Sequence, residues 1–481
     1  MENYYLAIDI GASSGRHILG HVRDGQIILE EIYRFENKQI WRDGHDCWDL
    51  EHLWNSILAG MKKCTQEGKI PYSIGIDTWA VDFVLLDKNG RLTGNAVAYR
   101  DKRTDGMDEI VECKISAHDL YTRTGIQKQS FNTIYQIMAL KREHPQQLDS
   151  AESLLMIPDY LHYLLTGVKM QEYTNATSTG MVNVHTNQWD HELIRMLGFP
   201  EKLFGPLSMP GTTVGELLPE IRDEVGFHSK VVLPATHDTG SAFLAVPAQN
   251  EASIYLSSGT WSLIGVENKA PVTTESSRKQ NFTNEGGAWL RYRYLKNIMG
   301  LWMIQSVRRE LSGEVYVAGR ESRHASGRHW GFAELSSEAA GAQAFTSVVD
   351  VNDQRFLAPQ SMIDTIKEYC RESGQEVPET VGQIMQCIYL SLAKSYQEAI
   401  QSLSGLTGKK YACIHIVGGG CQDQYLNEMT ARASGLPVYA GPVEGTAIGN
   451  QAVQMIAAGE FVSLSEAREA IRKSFDIKEV Q

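Results

Sequence analysis

Three short stretches of small and acidic residues stand at the ends of apolar runs. The first, Asp9-x-Gly11-Ala12-Ser13-Ser14-Gly15-Arg16, follows the run over residues 4–10. In a turn without bulky side chains, backbone amides can converge on phosphate oxygens. Two serine hydroxyls and Arg16 add donors. Asp9 has the chemistry to hold Mg²⁺ through water, an ion that keeps several waters and takes one or two carboxylates. The plain alternative is an ordinary hairpin with a satisfied aspartate. The second stretch is His237-Asp238-Thr239-Gly240-Ser241. Its acid either caps a following helix or accepts the proton of a substrate hydroxyl as phosphate arrives. The third, Gly418-Gly419-Gly420, leaves no Cβ between backbone and ligand, which suits a flat purine and equally suits a loose helix entry.

Other nucleotide and hydrolase signatures are missing from the sequence. No G-x-x-x-x-G-K-[ST], G-x-G-x-x-G or H-E-x-x-H occurs. The seven cysteines are scattered without a C-x-x-C, so neither a zinc framework nor a disulfide framework is expected, and reduced cytoplasmic thiols are.

The elements that must hold these stretches read from periodicity. Residues 4–10, 16–22 and 26–35 predict a three-stranded meander. Leu50, Leu53, Trp54, Ile57, Leu58 and Met61 form a helical stripe, with Asp49 as its cap. Short strands are expected at 72–77 and 82–87. The opening plan then recurs: strand 253–257, the turn Ser258-Gly259-Thr260 and strand 261–266 suggest a duplicated domain, with a boundary near 246. Strand 231–235 feeds His237, and 241–246 begins a helix. Beyond lie a long helix at 379–401, a strand at 411–417, a helix at 422–434, a strand at 436–440 and helices at 445–458 and 466–475. Strand, glycine turn and helix place ligands at strand ends. The expected domains are 1–246 and 247–481.

Composition narrows the partners. The 481 residues are 42% hydrophobic and 21% charged, a globular balance. The net charge of −13 has the wrong sign for tracking nucleic acid. No apolar run reaches the roughly 18–20 residues of a membrane span, and the N-terminus does not read as a signal peptide.

In their order, the Asp-x-Gly hairpin, Asp-Thr-Gly, the second Ser-Gly-Thr hairpin and Gly-Gly-Gly resemble the superfamily of sugar kinases, heat-shock chaperones and actin. Within it the chain is similar, end to end, to the FGGY carbohydrate kinase family. DTWAVDFVLLDKNG (77–90), AYRDKRTDGM (98–107), FNTIYQ (131–136), PDYLHYLLTG (158–167), HDTGSAF (237–243), LSSGTWSLIG (256–265) and VGGGCQDQYLNEM (417–429) carry the likeness. FNTIYQ stands where many members have Lys-x-x-Trp. The resemblance implies two α/β domains of the ribonuclease-H-like kind, mixed sheets flanked by helices, with an active-site cleft between them. It implies transfer of the γ-phosphoryl of ATP, with Mg²⁺, to a small ketose: L-rhamnulose at its 1-hydroxyl first, then L-fuculose, D-xylulose, L-ribulose or glycerol. A cytoplasmic monomer or homodimer is expected. Residue by residue, Asp238 would be the base, and Ala80, His237, Asp238, Thr239 and Asn297 would contact the sugar. Ala12, Ser13, Ser14, Gly15, Arg16, Thr260, Gln305 and Gly419 would contact ATP, and Asp9 and Asp238 would act on the metal through water. Relatives tend to have Gly where Ala80 stands, and a cysteine pair of some relatives is replaced by Thr430 and Ser434. Trp79 and Phe83 read equally as core or as an apolar sugar wall. Asp77, Asp82, Arg100 and Arg103 stay undecided. A non-kinase chaperone would need a peptide-binding module after the last helix, and a sugar-sensing repressor a DNA-binding segment before Asp9.

Overall fold

The computed structural model describes residues 2–315, 323–324 and 328–481. The chain forms two compact units, each discontinuous in sequence. The first comprises Met1–Pro247, Glu267–Tyr294 and Gly445–Ser474. Its sheet contains β1 (Tyr4–Ile10), β2 (Ser14–Arg23), β3 (Gln26–Glu36), β4 (Pro71–Thr78), β5 (Thr213–Glu216) and β6 (Lys230–Val232), in the spatial order β5-β6-β4-β1-β2-β3. β1 pairs antiparallel with β2 and parallel with β4, and β4 pairs parallel with β6. A central strand covered on both faces needs an unbroken apolar run, and β1 is buried from Tyr5 to Ile10.

Helix α1 (Leu50–Gln66) buries Leu53, Ile57, Met61 and Cys64 at helical spacing. Its cap is the one expected: Asp49 accepts from the amide of His52 at 3.0 Å. A helix at Thr133–Glu143, α2, and a seven-residue helix at Asp238–Leu244, α3, follow.

In the second unit (Ala248–Val266, Leu295–Glu444 and Phe475–Gln481), strand β7 (Ser253–Ser258) pairs antiparallel with β8 (Ser262–Asn268). β7 also pairs parallel with β9 (Cys413–Val417). β9 pairs parallel with β10 (Val438–Ala440), which pairs antiparallel with β11 (Lys478–Val480). Hairpin plus parallel neighbour is the plan of β2-β1-β4, so the suspected duplication extends to topology. Each unit is a mixed sheet flanked by helices, the ribonuclease-H-like arrangement. Helices α4 (Trp302–Leu311), α5 (Val381–Thr407) and α6 (Gln424–Ser434) belong to the second unit. Thr380 opens α5 with a reciprocal capping box to Gln383.

Helix α7 (Gly445–Ala458) belongs to the first unit, although it follows the second unit's sheet in sequence. It lies on β1 and β4 and contacts them through amides. Gln451 Nε2 donates to the carbonyls of Tyr5 (3.2 Å) and Ile18 (2.8 Å), and Gln454 Nε2 to that of Leu6 (3.0 Å). Such closeness requires missing side chains opposite. A Cβ at Gly20 would sit 2.2 Å from Gln451 Oε1, and one at Gly75 would sit 2.7 Å from Asn450 Oδ1.

Three boundaries differ from the sequence reading. β2 begins at Ser14, inside the presumed turn. α3 begins at Asp238 rather than at residue 241, with His237 as its cap position. A short 3-10 turn, Gly419–Gln422, precedes α6. Among the described residues no helix is long and apolar enough to cross a membrane.

Candidate active site

The register of the first sheet assembles the acids. Asp9 and Asp77 are partners across the parallel β1–β4 pair, near the C-terminal ends of both strands. The chain leaving β6 reaches the same edge, where Thr78 bridges His237 and its amide donates to Thr236 O at 2.9 Å. Asp9, Asp77 and Asp238 therefore converge at neighbouring strand ends, the position where open α/β sheets bind ligands. Arg16 Nε donates to Asp9 Oδ2 at 3.1 Å. Asn450 Nδ2, from α7, donates to Asp77 Oδ2 at 2.5 Å, while Asp77 Oδ1 is buried with no hydrogen-bond partner. Burial, and next the charge of Asp9, push the Asp77 carboxyl well above the usual carboxylate range. Crowded carboxylates with an orphaned oxygen fit a divalent cation, which would relieve their repulsion.

Asp238 opens α3 and is held through one oxygen. Thr239 donates to Oδ1 from its amide (2.5 Å) and its hydroxyl (3.1 Å), and His237 Nε2 lies 3.4 Å from the same atom. Oδ2 is thus the oxygen open to a proton donor. The imidazole has its own support. Arg293 Nη2 lies 3.1 Å from His237 Nδ1, and Glu285 Oε2 lies 3.3 Å from that nitrogen and 3.0 Å from Arg293 Nη1. Nδ1 thus meets both a donor, Arg293, and an acceptor, Glu285, while Nε2 faces Asp238. Arg293 is 1% exposed. A further clamp is Glu172, which accepts from the amides and hydroxyls of Thr174 and Thr236 at 2.6–3.2 Å and so fixes the residue before His237.

The turn at Gly11–Gly15 is pinned by a residue outside it. Asn37 donates from its side chain to Gly11 O (2.9 Å) and from its amide to Ser13 O (3.0 Å). Ala12 and Ser14 are half-buried and Ser13 is exposed, whereas Gly15 is buried. A Cβ at Gly15 would enter the Phe35 ring at 2.2 Å, so packing alone demands this glycine.

Ala80 borders a constrained turn. Asp82 N donates to Ala80 O at 2.9 Å across Val81, whose φ of +66° is foreign to a β-branched residue. Thr133 Oγ1 (2.6 Å) and Gln136 Nε2 (3.2 Å) hold Val81 O. Both belong to FNTIYQ, so that motif shapes the backbone beside Ala80. Asp82 is the buried hub of this region. Its carboxylate accepts from Trp48 Nε1 (2.6 Å), Trp79 Nε1 (2.9 Å), Tyr99 N (3.1 Å) and Gln136 Nε2 (3.0 Å). Burial raises it to about 6 against these donors. Arg103 reaches it through Gln136 Oε1, at 2.7 Å. Arg100 Nε donates to the Tyr99 hydroxyl at 3.1 Å. Trp79 packs 4.0 Å from Trp48, and Phe83 is buried.

In the second unit Thr260 lies in the turn of the β7–β8 hairpin, and its carbonyl accepts from Trp302 N at 3.1 Å. Gln305 lies in the first turn of α4 and is half-buried. Asn297, also half-buried, lies on the strand Tyr292–Ile298. The three glycines after β9 differ. A Cβ at Gly418 or Gly420 would meet Ser258, at 2.9 and 2.0 Å, but one at Gly419 would meet nothing within 4 Å. Only Gly419 of the three faces open space.

Sequence reasoning missed Asn37, Glu172, Glu285, Arg293 and Asn450. A signal existed for two of them: Arg293 is a charged residue set between two tyrosines in a strand, and Asn450, Gln451 and Gln454 are the amides of a helix without charged residues.

Residues 4–245 match the N-terminal domain of the FGGY family of carbohydrate kinases, and residues 254–458 its C-terminal domain. A rhamnulokinase from Oceanobacillus iheyensis is 49% identical over 477 residues, 99% of this chain and 98% of that protein. One from Bacillus subtilis is 44% identical over 475 residues, 98% of this chain and 94% of the other. Among solved structures, a ligand-bound xylulose kinase from Lactobacillus acidophilus shares the fold with a TM-score of 0.79 at 16% identity, covering 100% of this chain and 93% of its own. Plasmodium falciparum glycerol kinase with ADP shares it with a TM-score of 0.75 at 14% identity, covering 100% and 94%.

Proposed function

Given that the chain belongs to the FGGY family of carbohydrate kinases and is an ATP-dependent sugar kinase, we propose L-rhamnulose as its sugar and the 1-hydroxyl as the phosphorylated group. Relatives named rhamnulokinase, 41–49% identical over nearly the whole chain, support the choice of sugar. The observation that carries the chemistry is Asp238, held through Oδ1 with Oδ2 open.

In this reading Oδ2 of Asp238 takes the proton of the sugar's 1-hydroxyl as that oxygen attacks the γ-phosphorus in line, and ADP leaves. His237 and Thr239 orient the carboxylate and, with Ala80 and Asn297, contact the sugar. Ala12, Ser13, Ser14, Gly15 and Arg16 offer donors to phosphate. Thr260, Gln305 and Gly419 are assigned to ATP, the open face of Gly419 favouring a flat base. Mg²⁺, held by Asp9 and Asp238 through water, would neutralise charge on the phosphates when bound. The sequence is read as two domains dividing at 246, with the segments Glu267–Tyr294 and Gly445–Ser474 packing into the first unit, the enzyme is read as cytoplasmic on its seven free cysteines, and a monomer or homodimer is proposed.

A coupled assay of ADP release over a panel of ketoses and glycerol tests the substrate. We expect kcat/KM for L-rhamnulose at least tenfold above L-fuculose, D-xylulose and L-ribulose, with glycerol near background. A methyl in an apolar pocket contributes only about 10–200-fold, so the larger part must come from polar contacts. Equal or better turnover of another ketose would remove the substrate assignment and leave the kinase standing.

A further inference from the structure

A second group of ligating side chains lies in the first unit, outside the acids and the phosphate turn. The strands Gln39–Arg42 and His45–Trp48 form a hairpin, closed by Asp43 (φ +51°) and Gly44 (φ +89°). This two-residue turn fixes His45 at the start of the returning strand. Opposite stands the end of α2, where Glu143 is the last helical residue. His144 leaves the helix at φ −138°, ψ 58°, outside the α region that the residue before Pro145 avoids. Neighbouring side chains on a continuous helix point apart. Here the break lets Glu143 and His144 turn to one point, and one ligand atom from each of His45, Glu143 and His144 lies within 4.8 Å of the others.

The imidazole of His45 is set for ligation. Its Nδ1 lies 3.0 Å from Asp101 Oδ1, and an ionised carboxylate only accepts, so Nδ1 carries a proton and Nε2 is the nitrogen left to meet a metal ion. Asp101 is itself fixed by the amides of Asp46 (3.0 Å) and Arg103 (2.9 Å). A carboxylate behind a histidine is the usual outer support of a metal ligand. Glu143 lies at the carbonyl end of α2, where an anion is disfavoured and a cation would offset both charges. All three side chains line a cavity of about 360 Å³, with room for further ligands. Arg103 lines it too, but is turned toward Gln136.

We propose that His45, Glu143 and His144 bind one divalent transition-metal ion of the zinc class, with the remaining coordination positions open to the cavity. Two imidazoles and one carboxylate suit Zn²⁺ or Co²⁺ and not Mg²⁺, which prefers oxygen ligands and keeps its water. A tetrahedral ion would draw the ligand atoms to about 3.4 Å apart, a small adjustment for an exposed Glu143 and a half-buried His144.

The test uses the full chain, stripped with chelator and free of nucleotide. Zn²⁺ is titrated against a chromophoric chelator, and Co²⁺ binding is followed by visible absorption. We expect about one equivalent at micromolar affinity or tighter, undisturbed by millimolar Mg²⁺. His144→Gln and Glu143→Gln should each weaken it at least tenfold. Asp101→Asn, which removes no ligand, should weaken it about 10–100-fold. Glu143 is exposed, so Glu143→Gln keeps the test valid if a histidine variant fails to fold. No Zn²⁺ uptake by the wild type, wild-type affinity in both His144→Gln and Glu143→Gln, or displacement by Mg²⁺ would each overturn the site.

Discussion

From its residues alone Asp238 read as a helix cap or a base, the family resemblance implied the base, and its support was not legible at all. Asp238→Asn keeps the size and the contact to Thr239 yet cannot take the proton. We expect kcat to fall about 10²–10⁴-fold with sugar binding little changed, measured by steady-state kinetics and calorimetry. Retention of more than about a tenth of kcat would remove the base. Arg293→Lys asks a different question. A lysine keeps the charge but cannot reach Gly286 O, Glu285 and His237 together, as the guanidinium does. Loss of such buried bonds costs about 1–3 kcal/mol. The expected outcome is a lower melting temperature and a kcat at least tenfold down, because the His237 ring loses its support at Nδ1. Unchanged kcat in a destabilised variant would reduce Arg293 to a structural role. Neither Arg293 nor Glu285 is near Asp238 in sequence, and tertiary proximity of that kind leaves little local trace.

Helix α7 shows where periodicity informs and where it stops. Its bounds, 445–458, follow from its residues, but nothing in them says that it leaves the second unit's chain segment to cover β1 and β4. Gly449 is what lets it pass α3. A Cβ there would lie 1.8 Å from Ser241 O, in the helix that Asp238 opens. Gly449→Ala should therefore destabilise by about 1–3 kcal/mol and lower kcat by shifting α3, read from denaturant melts and initial rates. Gly405→Ala, inside α5 with nothing within 4 Å, is the control and should stabilise by about 0.5–1 kcal/mol. If both variants behave alike, the contact with α3 is not what Gly449 serves. The meander β1–β3, α1 with its Asp49 cap and the repeated hairpin all read correctly, since each is set by local alternation or capping. The turn at Val81 did not. A positive φ at a β-branched residue contradicts local preference and is imposed by Thr133 and Gln136, some fifty residues away.

Stability should carry the mark of two buried imidazoles in the first unit. Burial lowers His17 to about 4 and His162 to about 3, against about 6.5 in the unfolded chain. Both must stay neutral to fold, so their contribution is complete above pH 6.5 and is lost as pH falls toward those values. Each adds up to about 1.4 kcal/mol per pH unit to the slope. Asp82 acts in the opposite sense, since its carboxyl, raised to about 6, favours the fold once protonated. His162→Gln isolates one term: measured against the wild type by urea melts, it should gain relative stability from pH 7 to pH 5. A constant difference would show that His162 is not held neutral. The three-part make-up of the first unit has a consequence in time. On the ribosome, β1 and β4 emerge early, but α7 follows residue 247 by about 200 residues, roughly 10–40 s at ordinary translation rates. Until then the glycine-lined face of the sheet that receives Gln451 and Gln454 has no cover. Stalled nascent chains ending near 260 should be cut readily within the early strands, whereas released full-length protein resists; equal resistance would mean that the first unit closes without its last segment.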